Sequence, residues 1–290
     1  GFINKGTVDI TGGSKNRAVT ALNVAYGTIQ NEKDIKVDHG NGIVGTDNSV
    51  LTITKDGKIT VTGKYLKPST LSSGSSNLNN PDETNTDPSG TNYGIVGISR
   101  KDITHYDNSY TINGTSIDTD AIAITSDGII KVDGGESNNG AVTATGIFAK
   151  NVNAKQNNVT ISYDDKQHTK TAGIEVQANG SPSSSRGVGI ALVNQNPNGN
   201  GGLITLKGFD GTLGSDANTD NNIVTKENGI GIYAENAKIQ LNSDKFTITT
   251  KDDGVGIWVT DNSEVATGAN HSKTLQYNYF GKNTKNGFAM

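Results

Sequence analysis

Three groups of residues in this 290-residue chain have types and spacings suited to chemistry. The first is Asp216-Ala217-Asn218-Thr219-Asp220-Asn221-Asn222-Ile223, followed by Glu227. Side-chain oxygens at positions 1, 3 and 5, an aliphatic residue at 8 and a glutamate at 12 reproduce the spacing of an EF-hand calcium loop. A hard cation needs such a run to gather enough oxygens. Asn221 stands where such loops carry glycine, and asparagine tolerates positive φ. Asp216, Asn218, Asp220 and Glu227 are therefore the candidate metal ligands, and a structural calcium is the only cofactor suggested. No flanking helices are legible, and Gly211–Ser215 reads as loop. The plainer alternative is a polar corner in a chain rich in Asp and Asn.

The second group is aromatic. Tyr233 and Trp258 occupy matching places in Gly229-Ile230-Gly231-Ile232-Tyr233-Ala234 and Gly254-Val255-Gly256-Ile257-Trp258-Val259. In extended chain, Ile230, Ile232 and Ala234 share one side, as do Val255, Ile257 and Val259, so both rings point the other way. Outward rings form a platform for a sugar face or a partner protein, which makes Tyr233 and Trp258 the candidate receptor-binding residues. The alternative is a ladder that only steadies neighbouring strands.

The third group would be catalytic. Asp164-Asp165 lies near Lys166 and His168, and Asp252-Asp253 is a second adjacent pair. Cleaving a polysaccharide needs carboxylates that converge on one bond, whereas neighbours in a strand point to opposite faces. His39, His105, His168 and His271 have neither metal nor triad spacing. The chain is expected not to be an enzyme.

Composition narrows what can position these groups. Hydrophobic residues make up 32% of the chain, and there are 37 Gly, 5 Pro, 1 Trp and no Cys. That is too few apolar side chains for a spherical core of this length, yet the net charge of −4 is too small for a disordered chain. A thin, elongated core satisfies both facts. Without a basic face no nucleic-acid partner is expected, and without an apolar run of about 18 residues no insertion into a membrane by this segment. Lack of Cys removes disulfides and thiolate metal sites.

One pattern recurs: glycine, aliphatic, variable, then aliphatic or small. It appears at Gly42-Ile43-Val44-Gly45, Gly94-Ile95-Val96-Gly97, Gly146-Ile147-Phe148-Ala149, Gly173-Ile174-Glu175-Val176 and Gly187-Val188-Gly189-Ile190. The segments at Gly229 and Gly254 repeat it, with weaker copies at Ala121-Ile122-Ala123-Ile124 and Ala18-Val19-Thr20-Ala21. Spacings of 25 to 27 residues, as from Ile95 to Ile122, Ile147 and Ile174, mark a solenoid and place these four isoleucines in one column. Further alternating pieces, such as Val50–Thr54 and Lys58–Thr62 after Ile43–Gly45, give three short strands per coil. The predicted fold is all-β: a right-handed parallel β-helix of about ten coils, roughly 50 Å long. It forms a single unit over 1–290. A low-complexity loop is inserted at 70–91, and the end is less regular from about 263.

Ile3-Asn4-Lys5-Gly6-Thr7-Val8-Asp9-Ile10-Thr11-Gly12 and Gly229-Ile230-Gly231-Ile232-Tyr233-Ala234-Glu235-Asn236 resemble the passenger repeats of large type V autotransporters, especially the fusobacterial outer-membrane adhesins. The resemblance implies a monomeric segment of a longer virulence protein, secreted or displayed at the bacterial cell surface. It would attach to host cells or other bacteria through a protein or glycan receptor. The abrupt opening Gly1-Phe2-Ile3-Asn4 reads as the middle of a repeat. The competing expectation is a β-helical carbohydrate-active enzyme or a polysaccharide depolymerase shaped like a phage tailspike.

Overall fold

Short runs in which β-branched residues alternate with polar ones dominate the chain, and they fold as strands. Lys58-Ile59-Thr60-Val61-Thr62 is typical: Ile59 and Val61 are fully buried while the residues between them are half-exposed. Period-2 alternation puts every second side chain on one side of the pleat. A computed structural model of the protein describes residues 1–11, 19–63, 91–99, 110–112, 115–117, 121–137, 143–151, 158–164, 173–180, 186–195, 202–207, 222–226, 229–242, 245–251, 254–267 and 274–280. Among them there is no helix, and apart from one antiparallel hairpin (Tyr110–Ile112 with Thr115–Ile117) every strand pairing is parallel. The expected parallel β-helix is the fold.

Three faces wind round a shared bore. The first face stacks the N-terminal part of Val19–Asn31, that of Gly40–Ile53, then Thr91–Ser99, Thr143–Asn151, Arg186–Asn194, Ile230–Glu235 and Val255–Thr260. The second stacks Phe2–Asn4, the C-terminal parts of those two long strands, then Ala121–Ser126, Asn158–Asp164, Gly202–Lys207, Lys238–Leu241 and Glu264–Thr267. The long strands run round the corner between these faces and join them into one 13-stranded sheet. The third face is an 8-stranded sheet that starts at Val8–Ile10 and ends at Thr274–Phe280. Among the described residues, seven coils follow a partial opening one, so eight strands at about 4.8 Å make a stack roughly 35 Å long. That is shorter than the ten coils and 50 Å expected.

The stacking corrects the sequence reading in one respect. Ile95 pairs with Ile147 in the first face, but Ile122 lies in the second face and Ile174 in the third. Their regular spacing is the spacing of strands, not of coils. Ile147 pairs with Ile190 and Ile190 with Ile232, so the middle coils are longer than 25–27 residues, whereas Ile232 to Ile257 keeps that length. Chain is added at the corners, and the stacked frame is unaffected. The second and third faces also continue past residue 263.

The bore is lined by three isoleucine-rich columns, with Ile43, Ile95, Ile147, Ile190 and Ile232 all fully buried on the first face. A glycine precedes each, and its role is close approach. A Cβ on Gly146 would stand 2.6 Å from the carbonyl oxygen of Gly189 and 2.6 Å from Ile174 Cγ2; one on Gly189 would stand 2.5 Å from Gly231 O and 2.5 Å from Ile223 Cγ2. No side chain fits there, so the glycine ladder marks the first face. Buried asparagines close the corner beyond it. Asn151 Nδ2 donates to Asn194 Oδ1 (2.9 Å), Asn194 Nδ2 to Asn236 O (2.9 Å) and Asn236 Nδ2 to Asn194 O (3.0 Å).

The corner between the first and second faces has one local solution. Tyr26, Asp47, Asn236 and Asp261 each sit there with φ between 49° and 59°. Two of them lie in identical tetrapeptides, Thr46-Asp47-Asn48-Ser49 and Thr260-Asp261-Asn262-Ser263. In both, the serine Oγ donates to the threonine carbonyl three residues back at 2.7 Å. In coils three to five the same corner is opened: the chain leaves after Ser99, Asn151 and Asn194 and regains the second face at Ala121, Asn158 and Gly202.

Candidate functional site

The outward sides of the three faces differ in chemistry. On the second face, Thr52, Thr125, Ser162, Thr205 and Gln240 form one registered polar column. On the third face Lys36, Thr60, Lys131 and Glu175 stack in register, with Lys131 Nζ 3.3 Å from Glu175 Oε2. The first face has one mostly apolar column. This central outward column reads Asn23, Val44, Val96, Phe148, Ala191, Tyr233, Trp258 along the stack, with Val96 and Ala191 themselves buried. From Val44 onward each follows the isoleucine of a glycine-aliphatic copy. Aligning the copies on the glycine directly before that isoleucine (Gly189, Gly231 and Gly256 in the last three) would have exposed the whole column in the sequence. Aligning on the earlier Gly187, Gly229 and Gly254 hides its continuity.

Tyr233 and Trp258 are directly paired across neighbouring coils, with Ile232, Ala234 and their counterparts Ile257 and Val259 turned inward. The rings meet edge to face, centroids 6.2 Å apart and planes at 76°, a favoured arrangement of opposed quadrupoles. Trp258 is 41% exposed, and with Phe2, Ile3 and Tyr26 it completes the large exposed hydrophobics of the described residues. Further along, Phe148 of the column packs at 5.5 Å against Tyr93, which belongs to the neighbouring column in register with Thr145.

Polar groups hold the tyrosine in place. Its hydroxyl donates to Glu235 Oε2 at 3.0 Å, and Thr260 stands at the same strand position as Glu235 one coil on. Burial, the largest cause, pushes the phenol pKa up. The bond to Glu235 and the negative charges of Glu235 and Asp261 raise it further. The net direction is upward, and the phenol stays neutral in an acidic field.

The other sequence candidates lie elsewhere. Asp216, Asn218, Asp220 and Glu227, the calcium-like set, fall outside the described residues, as do most of the 70–91 insertion, Asp165, Lys166, His168 and Asp252-Asp253. The two described residues of the calcium-like stretch belong to the coil frame. Asn222 Oδ1 accepts from Thr247 N (2.8 Å), its carbonyl accepts from Tyr163 Oη (2.9 Å), and Ile223 is buried in the third-face column. Asp164 ends its second-face strand opposite Lys207 of the next coil. Asp127 stands just past the partner strand, since Ser126 pairs with Tyr163. No group of three or more His, Cys, Asp or Glu converges among the described residues. No family model matches the chain, and neither does any curated protein or solved structure.

Proposed function

We propose that this chain is a surface-displayed adhesin segment of the type V passenger kind, attaching bacteria to host cells or to other bacteria. The observation that carries the reading is the contrast between faces. The second and third faces each carry a registered polar column, while one outward column of the first is apolar from Val44 onward and ends in the Tyr233–Trp258 pair, where Trp258 is exposed. A water-facing sheet is expected to alternate apolar-in with polar-out, so an apolar outer column is a feature of binding surfaces. A stack of coils also repeats modest contacts along its axis, which favours multivalent attachment. Receptor contact is assigned to Tyr233 and Trp258, and the location to the cell surface or the secreted fraction.

The test is attachment of the labelled chain to epithelial cells and to bacterial cells, followed by flow cytometry. Saturable attachment that excess unlabelled chain displaces is expected, and absence of attachment to every surface overturns the reading. A polysaccharide depolymerase is the second reading, favoured by the neighbouring carboxylates Asp127 and Asp164 on the edge of the polar second face. Release of reducing ends from a polysaccharide panel, lost in Asp164→Asn, would establish it instead.

A further inference from the structure

From the aromatic and acidic groups of the last two coils, we infer that the Tyr233–Trp258 pair is a subsite for an uncharged or amino-bearing sugar ring, and that it rejects anionic glycans. The inference rests on the adhesin reading only for its biological setting. Its chemistry comes from four side chains: Tyr233, Trp258, Glu235 and Asp261.

Trp258 is the most exposed ring of the first-face column at 41%, and Tyr233 is packed against it edge to face at 76°. An edge-on neighbour braces a ring without covering both of its faces, as a parallel stack would. One rigid apolar plane is what the C–H-rich side of a pyranose can lie on, and ordering it costs little because an aromatic side chain has only two rotatable bonds. Hydrogen-bonding groups stand beside this plane. Glu235 already accepts from the Tyr233 hydroxyl at 3.0 Å. A carboxylate has room for several donors, so Glu235 can also serve the hydroxyls at a sugar's rim. An aromatic plane edged by such groups matches an amphipathic ring better than a purely apolar peptide face, which would leave Glu235 desolvated.

Charge then selects among sugars. Glu235 and Asp261 both hold the Tyr233 phenol in its neutral form by their negative charge. Asp261 is exposed at the adjoining corner, fixed at φ 55°. The same field repels a carboxylated or sulphated sugar, and like-charge juxtaposition is an effective barrier to wrong partners. A protonated amino sugar gains from the carboxylates and from the tryptophan face.

Trp258 is the single tryptophan of the chain, so its emission reports the site directly. The intact chain is titrated with methyl hexosides, with glucosamine oligomers, and with sialyllactose and heparin as anionic probes. A saturable emission change with the first two classes and none with the anionic pair is expected. By saturation-transfer NMR, Trp258→Ala should bind roughly tenfold or more weakly. Glu235→Gln should bind the anionic probes better than wild type. Trp258 lies on an outer coil, so its replacement should leave the circular dichroism unchanged, and Tyr233→Phe provides a milder second variant expected to weaken binding less.

Failure of every neutral and amino sugar to saturate, equal binding by Trp258→Ala, or a preference for the anionic probes would each overturn the inference. Cell attachment without any sugar binding would leave the adhesin reading standing and remove this one. Sugar binding without attachment would do the reverse.

Discussion

At the scale of single residues, the glycine ladder is the least forgiving feature. Gly146→Ala puts a methyl group where Gly189 O and Ile174 Cγ2 stand 2.6 Å from the Cβ position. The strand must shift against its neighbours, at a cost of about 1–3 kcal/mol by the overpacking rule. Gly6→Ala has nothing within 4 Å of its Cβ and should change stability little, so the pair, compared by urea denaturation, separates close approach from glycine content. Asn194→Ala should be costlier, about 2–4 kcal/mol, because it removes an acceptor of the Asn151 amide and a donor to the Asn236 carbonyl in a buried corner. Tyr233 offers a pH test. Its folded pKa is raised, so the stability its neutral form contributes is complete below the ordinary tyrosine range near 10 and is lost as pH climbs through the raised value. The phenolate absorbance difference between wild type and Tyr233→Phe should therefore appear later than for free tyrosine, and Glu235→Gln should bring it earlier.

At the scale of elements, the corner between the first and second faces explains how the fold absorbs extra chain. Where the corner is tight, a residue with positive φ turns the backbone and the serine of Thr-Asp-Asn-Ser closes it onto the threonine carbonyl. Asparagine and aspartate are the non-glycine residues that reach that region most cheaply, which is why the motif is legible as a string. Ser49→Ala should cost about 1 kcal/mol in a thermal or urea melt. Asp47→Val should cost more, since a β-branched side chain resists φ 59°. Coils three to five replace this turn with longer connections, and loops on a rigid frame are where variation is tolerated. The strands either side keep their register, so the frame and its insertions are energetically separable.

The whole molecule is a one-dimensional object. Each coil packs only on its neighbours, so stability is a sum of local and interfacial terms, and the coil of Ile147, paired with Ile95 on one side and Ile190 on the other, holds two interfaces. Native-state hydrogen exchange should therefore protect Ile95, Ile147 and Ile190 most. Val8–Ile10 and Val255–Thr260 should exchange first, and uniform protection along the chain would contradict the nearest-neighbour picture. The apolar outer column of the first face is also a property at this scale. No single coil has it, and it exists only because successive variable positions after the buried isoleucine line up.

Much of this was determined by the sequence alone. The thin core followed from 32% hydrophobic residues at low net charge, the strands from alternation, and the solenoid from recurrence of the glycine-aliphatic motif. The match of Tyr233 with Trp258 also followed, because no insertion separates their coils. Tertiary structure alone decided which face each motif copy joins. Ile95, Ile122, Ile147 and Ile174 look equivalent along the chain, yet they occupy three different faces. The physical reason is that alternation specifies only inside or outside. It reads the same on every face, whereas pairing across coils is chosen by hydrogen bonds between strands tens of residues apart. The steric demand at Gly42, Gly94, Gly146, Gly189 and Gly231 distinguishes the first face, and it becomes visible only when the neighbouring coil is in place.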